Sequence, residues 1–259
     1  MLDNYEGFKN KILKLTGIDL TSYKERQMRR RIDSLIKRNN YDDYDAYCKA
    51  LTVNPKLYDE FVNYLTINVS EFYRNSIQWE ILEKEVMPSI LKVNRKPKIW
   101  SAACSTGEEP YSLVMLLTRF MDLNSIKIYA TDIDEGALSK AKNGVYAHKS
   151  LTNLPADFVN NYFEKSGENY KIDDRIKKCV DFTHHNLLND KYPDKCDLII
   201  CRNVMIYFTE EAKSMMYSKF REALTENGVL FVGSTEQIIL PQRYKLEPLK
   251  TFFYKRSNI

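Results

Sequence analysis

The apolar pattern changes character at Asn94-Arg95-Lys96-Pro97, and that change constrains the fold more than any other feature of the sequence. Before it the chain reads as helix after helix. Met28, Ile32, Leu35 and Ile36 fall at i, i+4, i+7 and i+8, one apolar stripe whose opposite side carries Arg26, Arg30 and Lys37. Leu57, Phe61, Tyr64 and Leu65 repeat the pattern, and Trp79, Leu82 and Val86 suggest a further helix that ends before Pro88. After the change, short apolar runs alternate with helical ones. Strands are expected at Lys98 to Ala103, Lys127 to Thr131, Asp197 to Cys201 and Val229 to Gly233, and helices at Glu108 to Phe120, Glu135 to Lys142 and Glu210 to Leu224. Such alternation implies an α/β domain with a mainly parallel sheet covered on both faces, preceded by an all-α part. The polar stretch Glu164 to Phe182, with Tyr170-Lys171-Ile172 and Cys179-Val180-Asp181-Phe182, reads as a small β insertion.

Composition narrows the function classes. At 259 residues the chain has room for one large domain, or an ordinary one with a smaller companion. A net charge of +4 is too small for a nucleic-acid coat, and no apolar run approaches the ~18 residues of a membrane span. With charges throughout Met1 to Leu15 in place of an apolar signal segment, a cytoplasmic protein without membrane insertion is expected. Five cysteines form no CxxC pair, and with three histidines they make no recognisable metal site, so reduced thiols and no metal are expected. Charge is unevenly spread: seven basic side chains between Tyr23 and Arg38 face only Glu25 and Asp33. This electropositive face is either solvated or a docking surface.

The sharpest segment is Ile99-Trp100-Ser101-Ala102-Ala103-Cys104-Ser105-Thr106-Gly107-Glu108-Glu109-Pro110-Tyr111-Ser112. A strand runs into small residues, Gly107 permits a close turn, and Pro110 sits in the first turn of a helix, where its missing N–H costs nothing. An ordinary strand-to-helix turn would look similar. Glu108 and Glu109, however, would repel a pyrophosphate at the helix start, whereas the ammonium and sulfonium of S-adenosylmethionine (SAM) would suit an acid there. The next strand ends in Thr131-Asp132-Ile133-Asp134, an acid 25 residues after Gly107, where a carboxylate can accept ribose hydroxyls or simply cap the following helix. Asp197 to Phe208 delivers Arg202 and Asn203 to the sheet's carboxyl edge, followed by Tyr207, which could also be a core tyrosine. Among eight prolines none is adjacent to another, so the Pro-Pro motif of amino-methylating DNA enzymes is absent.

These motifs, in this order, resemble those of the chemotaxis-receptor glutamate O-methyltransferases, the CheR family. Ser101 to Ser112, Ala130 to Asp134 and Cys201 to Phe208 are similar nearly residue for residue, and Thr66 to Asn75 resembles the segment joining the family's two domains. Ser70 and Tyr73 are mild departures, where threonine and a second phenylalanine are common. The resemblance implies a Rossmann-like SAM-dependent methyltransferase domain over residues 98–259, with a small β subdomain at 164–183. It would follow a helical docking domain at 1–75 and a linker at 76–97. It further implies that Arg74 meets the cofactor's carboxylate, with Asn68 and Ser70 nearby. Ala103 would border the cofactor, Glu108 would face its ammonium, Asp132 its ribose, Asn186 and Leu187 would lie beside the adenine, and Asn203, Val204 and Tyr207 where methyl is transferred. Arg202 would orient that loop.

The implied substrate is a glutamate carboxylate on the acidic cytoplasmic helices of methyl-accepting chemotaxis receptors, giving methyl esters for sensory adaptation. Arg26, Arg29, Arg30, Arg31 and Arg38 would be the docking face, nucleic acid would not be a partner, and a monomer is expected. A small-molecule or RNA methyltransferase, or a binding module without activity, would share the cofactor fold. In some members the β subdomain grips a receptor's C-terminal peptide. The short Lys165-Ser166-Gly167-Glu168-Asn169-Tyr170 stretch suggests a chain that does not depend on such a tether.

Overall fold

Residues that accept hydrogen bonds mark most helix starts in the N-terminal region. Asn4 caps α1 (Tyr5–Thr16), and the basic helix α2 (Glu25–Arg38) follows a single 3₁₀ turn. Asp43 caps α3 (Tyr44–Val53), and Asn54 with Pro55 opens α4 (Pro55–Thr66). The computed structural model describes residues 4–257. It divides into two compact units: the chain up to Asn68 with Met205–Met215, and Val69–Val204 with the residues from Met216 onward. The first unit is built on aromatic packing. The Phe8 and Tyr44 rings lie 4.5 Å apart and Tyr47 meets Phe61 edge-on at 5.8 Å. Met28, Ile32, Leu35 and Ile36 are buried, as the helical stripe requires. The segment 205–215 joins this unit through Phe208, whose ring packs on Tyr23 at 4.8 Å, and through the Lys24 N–H donating to the Tyr207 carbonyl at 2.9 Å.

In the second unit α5 (Ser76–Ile81) does not stop before Pro88. A π-helical turn, Leu82–Val86, leads straight into α6 (Met87–Val93), correcting the expected end. Proline lacks the N–H that a regular turn would need, and the widened turn ahead of it absorbs the misfit, so Leu82, Val86, Met87 and Ile90 all stay buried.

The alternation after Pro97 forms as read. In order come β1 (Ile99–Ala102), α7 (Glu108–Leu117), β2 (Ile128–Asp132), α8 (Glu135–Asn143), β3 (Val145–Ala147), α9 (Ala156–Tyr162), β4 (Phe163–Ser166), β5 (Asn169–Ile172), α10 (Asp174–Lys177), β6 (Val180–His184), β7 (Cys196–Cys201), α11 (Glu210–Ala223), β8 (Leu224–Val232), β9 (Leu246–Lys250) and β10 (Phe253–Arg256). The main sheet has seven strands in the order β6-β2-β1-β7-β8-β10-β9. From β6 to β8 every pairing is parallel, and β10 alone runs against its neighbours. Every residue of β1 and β7 is buried, as expected for central parallel strands covered on both faces. The chain leaves β1 toward β2 on one side and resumes at β7 on the other, so the sheet's switch point lies between β1 and β7.

A second sheet, β3-β5-β4, is the small insertion, but its membership differs from expectation. Residues 145–147 join it, whereas Val180–His184 forms the edge strand of the main sheet, pairing with β2. The alternation of Val180 and Phe182 with polar residues suits a half-exposed edge and not a free hairpin. The β4–β5 hairpin is tight, as expected. Among the described residues, though, β4 pairs only with β5, and an open cavity of about 300 Å³ lined by Tyr162, Phe163, Glu164 and Lys171 adjoins it. A free sheet edge is therefore present beside the tight hairpin.

At the opposite, amino end of the main sheet the Asp197 carboxylate accepts the Asn94 side-chain amide (2.9 Å), the Lys98 N–H (2.8 Å) and the Thr225 hydroxyl (3.2 Å). Asp197→Ala leaves these donors unmet, and we expect a loss of about 2 kcal/mol, measured as a lower urea midpoint at unchanged slope.

Candidate active site

The loop after β1 holds three left-handed residues: Ala103 (φ 64°), Ser105 (φ 49°) and Gly107 (φ 93°). Two of these have side chains and are uncommon there. The end of β2 holds them in place: the Cys104 N–H donates to the Thr131 carbonyl at 2.9 Å and the Ser105 N–H to Asp132 Oδ2 at 2.7 Å. Gly107 is needed for space as well as for φ, because a Cβ there would sit 2.9 Å from Ala141 Cβ and 3.1 Å from the Tyr146 hydroxyl. Its bare backbone makes room for α8 and β3.

Asp132 is buried at the carboxyl end of β2 and accepts a second amide, that of Asp134, on Oδ1 at 3.0 Å. The cap of α8 is Asp134, which accepts the Ala137 N–H, so the capping alternative for Asp132 is excluded. Each Asp132 oxygen keeps acceptor capacity for a ligand hydroxyl. Burial pushes its carboxyl up to about 6, against the pull of the bound amides.

Glu108 opens α7, also buried, and accepts the Thr106 hydroxyl at 2.6 Å and that of Ser70. Burial raises its carboxyl too. Glu109 turns to the sheet, accepting the Ser101 hydroxyl at 2.8 Å and pairing with Arg202 at 3.6 Å. The Arg202 Nη2 reaches the Arg74 carbonyl (2.8 Å), Asn75 Oδ1 (3.2 Å) and Gln78 Oε1 (3.1 Å). Arg202 thus anchors the segment carrying Arg74, whose own guanidinium is half-buried and donates to the Val69 carbonyl at 3.1 Å.

Asn186 and Leu187 follow β6 in a loop fixed by its own bonds. The Asn186 N–H donates to Asp190 Oδ2 at 2.7 Å, and Asn186 Oδ1 accepts the Leu188 N–H at 3.0 Å. The Leu187 carbonyl accepts the Tyr192 hydroxyl at 2.8 Å and the Lys219 ammonium at 3.2 Å. Asn203 and Val204 leave β7 at the switch point, Asn203 with φ 60°.

The second unit therefore gathers Ser70, Arg74, Ala103, Glu108, Asp132, Asn186, Leu187, Asn203 and Val204 at or beside the carboxyl ends of β1, β2, β6 and β7. Asn68 and Tyr207 belong to the first unit, where the Asn68 amide donates to the Thr66 hydroxyl at 3.1 Å and Tyr207 closes a 3₁₀ turn, Met205–Tyr207. Reading the sequence missed Glu236, a buried acid whose carboxylate takes the Asn203 N–H at 2.6 Å. Its Gly-Ser-Thr-Glu context reads only as a turn, and no local signal marks it.

The five arginines of α2 divide. Arg29 lies over the Tyr5 ring at 5.0 Å, Arg31 donates to the Tyr64 carbonyl at 2.6 Å and stacks on its ring, and Arg38 pairs with Glu60 at 2.6 Å. These three are tied into the helical unit because they flank the buried stripe or reach α4. Arg26 and Arg30 are exposed on the far side.

Two buried acids at the ends of adjacent parallel strands, each raised by burial, suit a ligand that brings hydroxyls to one and a cation to the other. That donor set fits SAM, and with the strand order it defines a SAM-dependent methyltransferase. The comparison with known families is specific. Residues 3–66 match the CheR methyltransferase all-alpha domain and residues 68–253 the CheR methyltransferase SAM binding domain. The chain belongs to the CheR methyltransferase family. It is 42% identical over 255 residues to the chemotaxis protein methyltransferase of Listeria monocytogenes, covering 98% of this chain and 97% of that one. It is 32% identical to that of Borreliella burgdorferi (88% and 89% covered) and 31% identical to that of Escherichia coli (91% and 85%). Among the described residues no helix is long and apolar enough to cross a membrane.

A carboxyl accepts hydroxyls well only when ionised, so a SAM site that uses Asp132 should show level affinity above pH 7 and a fall below about 6. Calorimetry across pH 5 to 8 checks this. Asp132→Asn should weaken binding roughly tenfold at pH 7.5 and leave a shallower pH dependence, the remainder belonging to Glu108.

Proposed function

We propose that this chain transfers methyl from SAM to glutamate side chains on the cytoplasmic helices of chemoreceptors, forming methyl esters, and that it works in the cytoplasm as a monomer. One observation carries this reading: a family match over both parts of the chain coincides with a buried acid pair past the carboxyl ends of β1 and β2 that suits a cationic cofactor. In it Glu108 holds the ammonium, Asp132 the ribose hydroxyls, and Asn186 and Leu187 flank the adenine. Arg74, with Ser70, takes the carboxylate end. When bound, the cofactor supplies an electrophilic methyl on a sulfonium.

What the chain must add is positioning. A glutamate has a pKa near ~4.3 and is already ionised at neutral pH, so the reaction calls for no general base. His185, the one buried histidine, is held at the Lys191 carbonyl and packs on Trp100, and burial lowers its pKa. That is a structural histidine and not a proton acceptor poised near neutrality. Methyl transfer neutralises the nucleophile, so a strong cationic clamp on it would stabilise the ground state more than the transition state. In this reading Asn203 aligns the acceptor carboxylate, while the anchoring of Arg202 in the protein interior keeps a second cation away from it.

Arg26 and Arg30 are the part of the α2 face left available for an acidic helix. Exposed pairs contribute only ~0.2–1 kcal/mol each, so docking should be transient and salt-sensitive.

Tritiated methyl from SAM should be incorporated into receptor-containing membranes and released as methanol by mild base, the mark of an ester; base-stable label would refute the glutamate reading. Reversing charge at Arg26 and Arg30 should lower receptor methylation several-fold at low salt while leaving SAM affinity unchanged by calorimetry. Equal rates in variant and parent would remove the docking role.

A further inference from the structure

Where β7 and β8 end side by side, Cys201 faces Val232 in register, and the parallel ladder of hydrogen bonds stops. The next amides, those of Asn203 and Gly233, point into protein and need an acceptor. Both find the same atom. Glu236 Oε2 accepts the Asn203 N–H at 2.6 Å and the Gly233 N–H at 2.9 Å. Its backbone N–H closes a turn onto the Gly233 carbonyl at 3.0 Å, which carries the side chain back to the strand ends. The approach is tight by construction: a Cβ on Gly233 would lie 2.4 Å from Glu236 Oε2 and 2.9 Å from the Asn203 nitrogen. Glu236 is only 5% exposed. It sits with Glu109 around the Arg202 guanidinium, whose charge interacts with both acids.

From this geometry we infer that Glu236 is a positioning residue for methyl transfer. Its carboxylate holds Asn203 in the left-handed conformation in which Asn203 and Val204 border the cofactor and the acceptor carboxylate. The inference rests on the reading of the site given above. Asn203 is 33 residues from Glu236 in sequence, so the contact is a staple between two loops and not a local turn. A non-glycine residue at φ 60° needs its surroundings to hold it there. Glu236 supplies the acceptor for the Asn203 backbone N–H, on the same carboxylate oxygen that takes the Gly233 N–H.

The test compares three variants by SAM calorimetry and by methyl transfer to receptor-containing membranes. Glu236→Leu, similar in size but without an acceptor, should raise the SAM Kd and lower kcat/KM about tenfold. Glu236→Gln keeps an acceptor oxygen and should stay within about threefold of the parent. Gly233→Ala, which wedges the carboxylate away, should resemble the leucine variant. A purely packing role would leave the leucine variant as good as the glutamine one, and that result overturns the inference. So does a glutamine variant as weak as leucine, since charge and not acceptance would then be what matters. Should the leucine variant fail to fold, hydrogen exchange on the parent chain decides: the Asn203 amide should exchange on the order of a thousandfold more slowly than an open amide, and fast exchange overturns the inference. Asn203→Ala separates the two levels. Parental affinity and turnover in that variant would refute the place of Asn203 in the site, whereas an impaired Asn203→Ala beside a parental Glu236→Leu would refute the role of Glu236 alone.

Discussion

The guanidinium of Arg202 is the interaction on which the rest of the second unit's site depends. It is buried at 6% exposure, meets Glu109 from the helix that opens at the switch point, and binds the Arg74 carbonyl, Asn75 and Gln78 from the segment ahead of the sheet. The Phe231 and Trp79 rings lie beside it, 4.7 and 5.9 Å from its centre. Burial acts more strongly than pairing on both charges, lowering the Arg202 pKa and raising that of Glu109. A buried ion pair of this kind gives little net stability against an apolar replacement, yet removing one partner strands the other. Its value lies in geometry. A planar cation with several fixed donors can hold three segments at set angles, which a lysine could not.

The same logic recurs along the carboxyl edge of the sheet. Asp132 holds the loop after β1 and Arg202 the segment around Arg74, each by buried side-chain bonds to backbone atoms that no neighbouring strand can satisfy. Glu109 is paired with Arg202, whereas among the described residues Glu108 and Asp132 form no salt bridge, and burial raises the pKa of Glu108, Glu109 and Asp132 alike. A site of this kind is electrostatically incomplete by itself. It favours a ligand that carries positive charge into the low-dielectric edge, where Coulomb attraction is strong.

Much of this architecture was legible in the sequence because it follows from periodicity. The central strands β1 and β7 are mostly apolar and wholly buried, and α2 shows its stripe without ambiguity. What was misread has physical causes. Val180–His184 lies at a sheet edge with one face to solvent, so its polar residues made it look like part of a separate hairpin. The helix through Pro88 depends on a π turn whose cost is met by tertiary packing of Leu82 and Met87, information that no local rule contains. Among the site residues, Glu108 and Asp132 were visible because strand ends and helix starts are readable. Glu236 was not, since its role exists only where β7 and β8 end together. The helical wheel set Arg26 and Arg30 opposite the apolar stripe, but the ties of Arg29, Arg31 and Arg38 emerged only once α1 and α4 supplied Tyr5, Glu60 and Tyr64 as partners.

Five of the twelve non-glycine residues with positive φ among the described residues belong to the segments that meet at this edge. Tyr73, Asn75, Ala103, Ser105 and Asn203 all have positive φ without being glycine. Glycine would relax each of them, but it would also let the loops sample other conformations, and a methyl donor and acceptor must be held within a fraction of an ångström for direct transfer. Side chains that restrict the backbone, combined with buried bonds that hold it in the less favoured basin, give a narrower distribution than glycine could. The Ser105 N–H is bonded to Asp132, and the Arg74 carbonyl, between Tyr73 and Asn75, accepts from both Arg202 and Trp79. Each strained residue is thus tied to, or lies beside, a bond that ends on a buried side chain. The arrangement gives up some stability of the second unit for a sheet edge that is already shaped before any ligand binds.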